Sequence, residues 1–223
     1  MDMDAWNDVQ DRIWSCEICR AHPRVACDIR QRTEAPSHDV RLLLVGVAPP
    51  YVKGVTSKTL ARSATNDRGD NLRKYFVLAT LPFPWEGLLA RGMFLIHGVK
   101  CAITPKDRHQ NPPNDVVDAC APLHFVEEVK PIRPPRVVVF GKAPYRALLK
   151  VPGMKAPRGL GVSKPVAELV EKTRGGVDMQ ANGWRFSLHV SPFPLDGKIP
   201  NPVAQEVLKE AAHLSGIMGP IKM

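Results

Sequence analysis

The sequence predicts an α/β protein: a three-layer α/β/α sandwich around a central four-stranded parallel sheet. Three observations lead there. Residues 41–47, 93–99, 136–141 and 184–190 are short runs rich in β-branched residues or leucine, and they read as strands. The first three are almost continuously apolar, as strands covered on both faces must be. Helical spacing of apolar residues fills the intervals, and strands alternating with helices imply a parallel sheet with crossover helices.

The elements follow in order. After the first strand, Leu72, Tyr75, Phe76 and Ala79 recur at helical spacing and predict a helix over 71–81. The second strand leads through a proline-rich loop to a helix over 114–130, where Val116, Val117, Cys120, Leu123 and Val126 mark one face. Asn114 is placed to cap it. Two more helices are expected over 144–149 and 203–214. Long loops rich in proline and glycine cover 48–66, 104–114, 151–165 and 191–202. Three of them follow the C-terminal end of a strand or the short helix after it, the edge where open α/β sheets bind ligands.

A chain of 223 residues with 44% hydrophobic content can bury one large core, so a single domain spanning 1–223 is expected and wholesale disorder is excluded. The longest near-apolar run, 42–52, is interrupted by Gly46, Pro49 and Pro50, and it falls short of the ~20 residues of a membrane helix. The acidic start, Met-Asp-Met-Asp-Ala-Trp, carries no apolar signal segment, which predicts a cytoplasmic protein. The net charge of +9 is concentrated. Eleven basic and two acidic residues lie between Lys130 and Arg174, and the rest of the chain nets to zero. Such a block suits a phosphate-rich partner, although a solvated basic face would look the same.

Five cysteines in a reducing compartment argue against disulfides. Cys16 and Cys19 form a C-x2-C pair, Cys27 follows, and Cys101 and Cys120 lie downstream. Zinc, a redox pair, an iron–sulfur site and scattered buried thiols all fit that spacing.

Two strand ends carry candidate chemistry. The first runs Gly46-Val47-Ala48-Pro49-Pro50-Tyr51, where glycine permits close approach of a ligand and the prolines stiffen the turn. The last runs His189-Val190-Ser191-Pro192-Phe193-Pro194. An imidazole at a ligand edge can donate to developing negative charge, or it can be a structural histidine. Phe193, between prolines, is either a wedge for a base stack or a core side chain.

Together these segments resemble the uracil-DNA glycosylase superfamily, and within it the iron–sulfur families four and five. Gly46-Val47-Ala48-Pro49 is similar to their first motif, Gly-x-Ala-Pro. Val99-Lys100-Cys101, Pro112-Pro113, Cys120 and the run from Arg136 to Gly141-Lys142-Ala143 follow their middle region in order. His189-Val190-Ser191-Pro192 resembles the third motif, of His-Pro-Ser-Pro type. The likeness covers roughly residues 10 to 215.

The resemblance implies a monomeric DNA repair enzyme that flips deoxyuridine from DNA and hydrolyses its N-glycosidic bond, leaving an abasic site. Cys16, Cys19, Cys101 and Cys120 then match the ligands of a structural [4Fe–4S] cluster that ties in the N-terminal segment, with Cys27 spare. It assigns His189 to the departing uracil anion, and Gly46, Val47, Ala48, Pro49, Tyr51 and His97 to the base pocket. Ser191, Pro192 and Phe193 would contact DNA. Departures are visible too. Val47 stands where family four often has glutamate, and His97 where it commonly has asparagine. Asp67, in a stretch similar to the family-five aspartate motif, becomes the candidate base, with Asp70 in reserve. These departures keep open a hypoxanthine or xanthine preference, a non-catalytic DNA-binding protein of the same fold, and a zinc-bound version.

Overall fold

A computed structural model describes residues 2–30, 33–36, 38–49, 51, 90–104, 111–196 and 199–217. Helix α1 (Met3–Ser15) opens the chain, and its N-cap Asp2 accepts from the backbone N–H groups of Asp4 and Ala5. Its apolar stripe, Trp6, Val9 and Ile13, is buried, with the Trp6 ring edge-on to Phe94. Strand β1 (Val25–Arg30) pairs antiparallel with the short β4 (Cys101–Ile103), outside the main sheet.

The main sheet has five strands in the order β3-β2-β5-β7-β6. These are β2 (Leu42–Gly46), β3 (Met93–His97), β5 (Arg136–Phe140), β6 (Val177–Ala181) and β7 (Trp184–Ser191). The four expected strands, β2, β3, β5 and β7, are parallel. The fifth, β6, is an antiparallel edge absent from the sequence reading. Its residues alternate between exposed and buried, a weaker signal than the continuous burial of β2.

The helix expected over 114–130 runs from α2 (Asn114–Cys120) through a π-helical turn (Ala121–Phe125) into α3 (Val126–Ile132). Asn114 is not its cap: Pro113 holds that position and Asn114 is the first helical residue. Pro122 lacks the N–H that a regular helix needs, and the wider turn is where the register slips, with Val126 N–H bonding to Ala121 O. Helix α4 (Lys142–Leu148) follows β5, α5 (Val166–Lys172) precedes β6, and the pair β8 (Leu195–Asp196) and β9 (Ile199–Pro200) leads into α6 (Pro202–Leu214). Asn201 caps α6 through its side chain. The expected helix over 71–81 lies outside the described residues. Among the described residues, no helix is long and apolar enough to cross a membrane.

The direction in which strands are added reverses at β2: β3 is laid on one side of it and β5 on the other. The crevice at that reversal, between the turns after β2 and β5, is where such a sheet binds ligands.

Candidate functional site

Gly46 ends β2 in register with His97, the last residue of β3. The His97 ring lies directly on the glycine. A Cβ at residue 46 would stand 2.8 Å from His97 Cδ2 and 3.0 Å from Nε2. Glycine is therefore required for the imidazole to lie across this backbone. The turn is pinned to the segment after β3, because Gly98 and Val99 donate to the carbonyls of Gly46 and Val47 at 2.9 and 3.1 Å. Val47 and Ala48 are half-buried and Pro49 is buried.

Across the crevice, Phe140 is in register with Ser191, and Gly141 N–H donates to the Ser191 carbonyl at 2.8 Å. Ser191 is buried and its hydroxyl donates to Pro192 O at 2.9 Å. Phe193 projects from the same turn and is 55% exposed. The structure thus brings together Gly46, Val47, Ala48, Pro49 and His97 at one rim position and Ser191, Pro192 and Phe193 at another, two strands away. Tyr51 packs instead against Ala102 of β4. Asp67 and Asp70 lie outside the described residues.

His189 requires a correction. It pairs with Val138, two residues below the rim, or roughly 6–7 Å down the strand. The ring is 1% exposed and points toward the start of β5. Arg136 Nη1 lies 3.0 Å from Nε2, so that nitrogen accepts from the guanidinium, while Nδ1 faces Glu210 Oε2 at 4.0 Å. Gly176, at φ +88°, leaves room for the ring: a Cβ there would meet Nε2 at 3.0 Å. Burial, followed by the nearby Arg136 charge, pulls the imidazole pKa down to about 4. A neutral imidazole whose Nε2 is already an acceptor has no proton at that atom to offer a leaving base. The strand runs one residue further than the sequence suggested, and this puts Ser191 at the rim.

A second constellation lies behind the first. All five cysteines line one recess, of about 370 Å³ with its open mouth included, between α1, β1, β4 and α2. Cys101 and Cys120 are buried, and Lys100 backbone N–H donates to Cys120 Sγ at 3.4 Å. Burial pushes the Cys120 thiol up to about 12. Burial and then the neighbouring Cys27 raise both Cys19 and Cys101. Ionising several thiols together is therefore unfavourable without a cation among them, which is the situation a metal centre relieves. Among the described residues, no three Cys, His, Asp or Glu side chains meet at a spacing suited to a single metal ion. Thiols spread around one pocket fit a larger inorganic cluster in donor chemistry, and Cys27 stands within the same ring.

Sequence reasoning missed two members of this region. Lys100 is only 3% exposed, with its ammonium bonded to Glu128 and to the His97 carbonyl. Glu128 also accepts from Gln10 at 2.8 Å, and Gln10 in turn accepts from Thr33 N–H at 2.8 Å. The other is His124, on the π-helical turn, which also lines the recess. A lysine and a histidine on apolar elements carry no spacing signal that would reveal either.

A sheet with its ligand crevice at a topological reversal, a glycine turn under an imidazole and a protruding phenyl ring define an α/β domain with a candidate ligand site at the edge of its sheet. A family model described as the uracil DNA glycosylase superfamily matches residues 33–197, nearly three quarters of the chain, and the protein belongs to that superfamily. It is in general terms a DNA glycosylase, a hydrolase whose substrate is DNA. A search of curated proteins finds no match.

Proposed function

We propose that this glycosylase removes uracil from DNA, as a one-domain monomer spanning 1–223, and that Cys16, Cys19, Cys101 and Cys120 hold a [4Fe–4S] cluster. The observation that carries the reading is the His97 imidazole laid across Gly46 at the reversal crevice. Breaking the bond between C1′ of deoxyribose and the base leaves positive charge on the sugar and negative charge on the base. A donor aimed at a base oxygen lowers that barrier, by about 3 kcal/mol for a well-placed one. His97 is the imidazole at the rim, and it takes the base-reading role in place of His189. Gly46 to Pro49 form the wall beside the flipped base, and Phe193 fills the gap left in the duplex. Asp67, with Asp70 in reserve, is assigned to the attacking water.

The cluster supplies structure: its four thiolates cross-link the end of α1 to β4 and α2. The residues between the two sites, 97–101, make this cross-link relevant to the pocket, since they carry His97 at one end and Cys101 at the other.

The test is incubation of the purified protein with oligonucleotides bearing a single uracil, hypoxanthine or xanthine, followed by alkali and a sizing gel. Cleavage at uracil supports the reading. Cleavage only at a purine replaces the substrate, and cleavage at none favours a second reading. That second reading is a non-catalytic DNA-binding protein of this fold. The observation behind it is the burial of His189 against Arg136, together with valine at residue 47.

A further inference from the structure

The cysteine recess contains one polar side chain that nothing among the described residues satisfies. His124 is 5% exposed, and neither ring nitrogen has a hydrogen-bond partner among the described residues or any contact with solvent. The other walls are thiols, Lys100 and aliphatic side chains such as Ile13, Val25, Val99 and Val116. An unsatisfied buried imidazole is destabilising, so a native site of this kind calls for a partner.

Its placement is built by the helix. The π-helical turn begins directly after Cys120, and His124 lies four residues on, over the same recess. Burial is the main force that lowers the His124 pKa to about 4, with the Lys100, Arg12 and Arg30 charges adding to it. The ring is therefore neutral, with one N–H to donate and one lone pair. Apart from His124 itself, the side-chain atoms of the recess able to accept that proton are sulfurs.

We propose that the His124 ring N–H donates a hydrogen bond to a sulfur of the bound [4Fe–4S] group. It would be the side-chain counterpart of the Lys100 backbone N–H, which already donates to Cys120 Sγ. His124 is thus a positioning residue for the cluster, and it holds no iron itself. The inference rests on the cluster reading above. Hydrogen bonds to cluster sulfurs stabilise the more electron-rich reduced state and raise the reduction potential. Here the donor would also help close the pocket beside Cys120.

The experiment compares wild type, His124→Leu and His124→Gln, all purified without oxygen. Iron and sulfide content, the midpoint potential from a dye-mediated titration, and the rate of bleaching in air are measured for each. We expect His124→Leu to retain iron and sulfide, to shift to lower potential and to bleach several-fold faster. His124→Gln, which keeps a side-chain N–H, should fall between the two. In wild type labelled with ¹⁵N-histidine, one imidazole N–H should show a paramagnetic shift, a readout that needs no variant to fold. Equal potentials and equal bleaching in wild type and His124→Leu overturn the proposal, as does the absence of any shifted imidazole. A wild type lacking iron and sulfide after anaerobic reconstitution overturns the cluster reading, and this inference with it. That result is distinct from a wild type that holds a cluster indifferent to His124.

Discussion

Two histidines sit on adjacent levels of one sheet, and their surroundings give them different work. His97 ends its strand at the crevice, whereas His189 is sealed under Arg136 and beside Glu210. Replacing His97 with Ala should cut uracil release by at least 100-fold while duplex binding changes little, as loss of a donor to the leaving base requires. Single-turnover cleavage and a binding titration separate the two quantities. His189 predicts a stability effect instead. Its folded pKa, about 4, lies below its ordinary 6.5, so below pH 6.5 the unfolded chain takes up a proton that the folded chain refuses. Stability should therefore be fully present above pH 6.5 and fall as the pH drops toward 4, by an amount on the order of 2–3 kcal/mol from this group. Urea unfolding at pH 7.5 and pH 5 measures it. His189→Gln should remove that part of the loss, and a variant with an unchanged pH dependence would contradict the assignment.

At the scale of elements, the segment 97–101 couples the crevice to the thiol recess, and a buried ion pair braces it. Lys100 and Glu128 are 3% and 0% exposed, and Phe125 lies 5.7 Å below the ammonium. Glu128→Leu leaves that ammonium buried without its counter-charge, a change that costs about 3–5 kcal/mol. The double variant with Lys100→Met should recover most of the loss, because a well-packed apolar pair removes both desolvation penalties. Urea unfolding of the single and double variants decides this, and equal instability of the two would show that packing rather than charge is at stake.

The same region marks where the sequence could be read and where it could not. The strands β2, β3 and β5 were legible because burial on both faces leaves an unbroken apolar run, and α6 because its apolar residues recur at helical spacing over 203–214. Helix α1 and the β1–β4 pair were not read. The pair is short, with a register shift between Ala26 and Arg30, and its residues alternate too little to signal a strand. The motif residues around Gly46 were legible only through the resemblance that several segments carry in order, since glycine and proline at a strand end are common. The depth of His189 was not, since a rim histidine and a histidine one pleat lower give the same letters. Only strand register, fixed by pairing with Val138, separates them.

At the scale of the whole molecule, the concentrated positive charge becomes more specific once internal pairs are removed. Arg146 and Lys150 are paired with Asp118, Lys164 and Lys172 with Glu168, Arg174 with Glu171 and Lys130 with Glu127. Arg136 is committed to His189. Lys142, Lys155 and Arg158 are exposed and meet no carboxylate among the described residues. Lys155 and Arg158 share the loop that follows α4. Lys142 begins α4 immediately beyond the rim end of β5, its ammonium reaches Ser163 O at 3.5 Å, and Tyr145 of the same helix donates to Leu160 O at 2.6 Å. Leu160 and Ser163, at the end of the loop that carries Lys155 and Arg158, therefore lie along α4, while Pro152 at its start accepts from Asn182 in the β6–β7 turn; we take this basic loop as the path of the DNA backbone. Each phosphate contact contributes about 0.9 to the slope of log affinity against log salt. The double variant Lys155→Glu, Arg158→Glu should bind uracil-free duplex more weakly and flatten that slope by about 2. Lys209→Glu on α6 serves as a control that leaves the slope near wild type. Because these side chains meet phosphates rather than base edges, the preference for uracil-containing over uracil-free duplex should survive the double variant. Fluorescence anisotropy across a salt series measures both quantities. A slope unchanged in the double variant, or flattened equally by Lys209→Glu, would move the DNA path away from this loop.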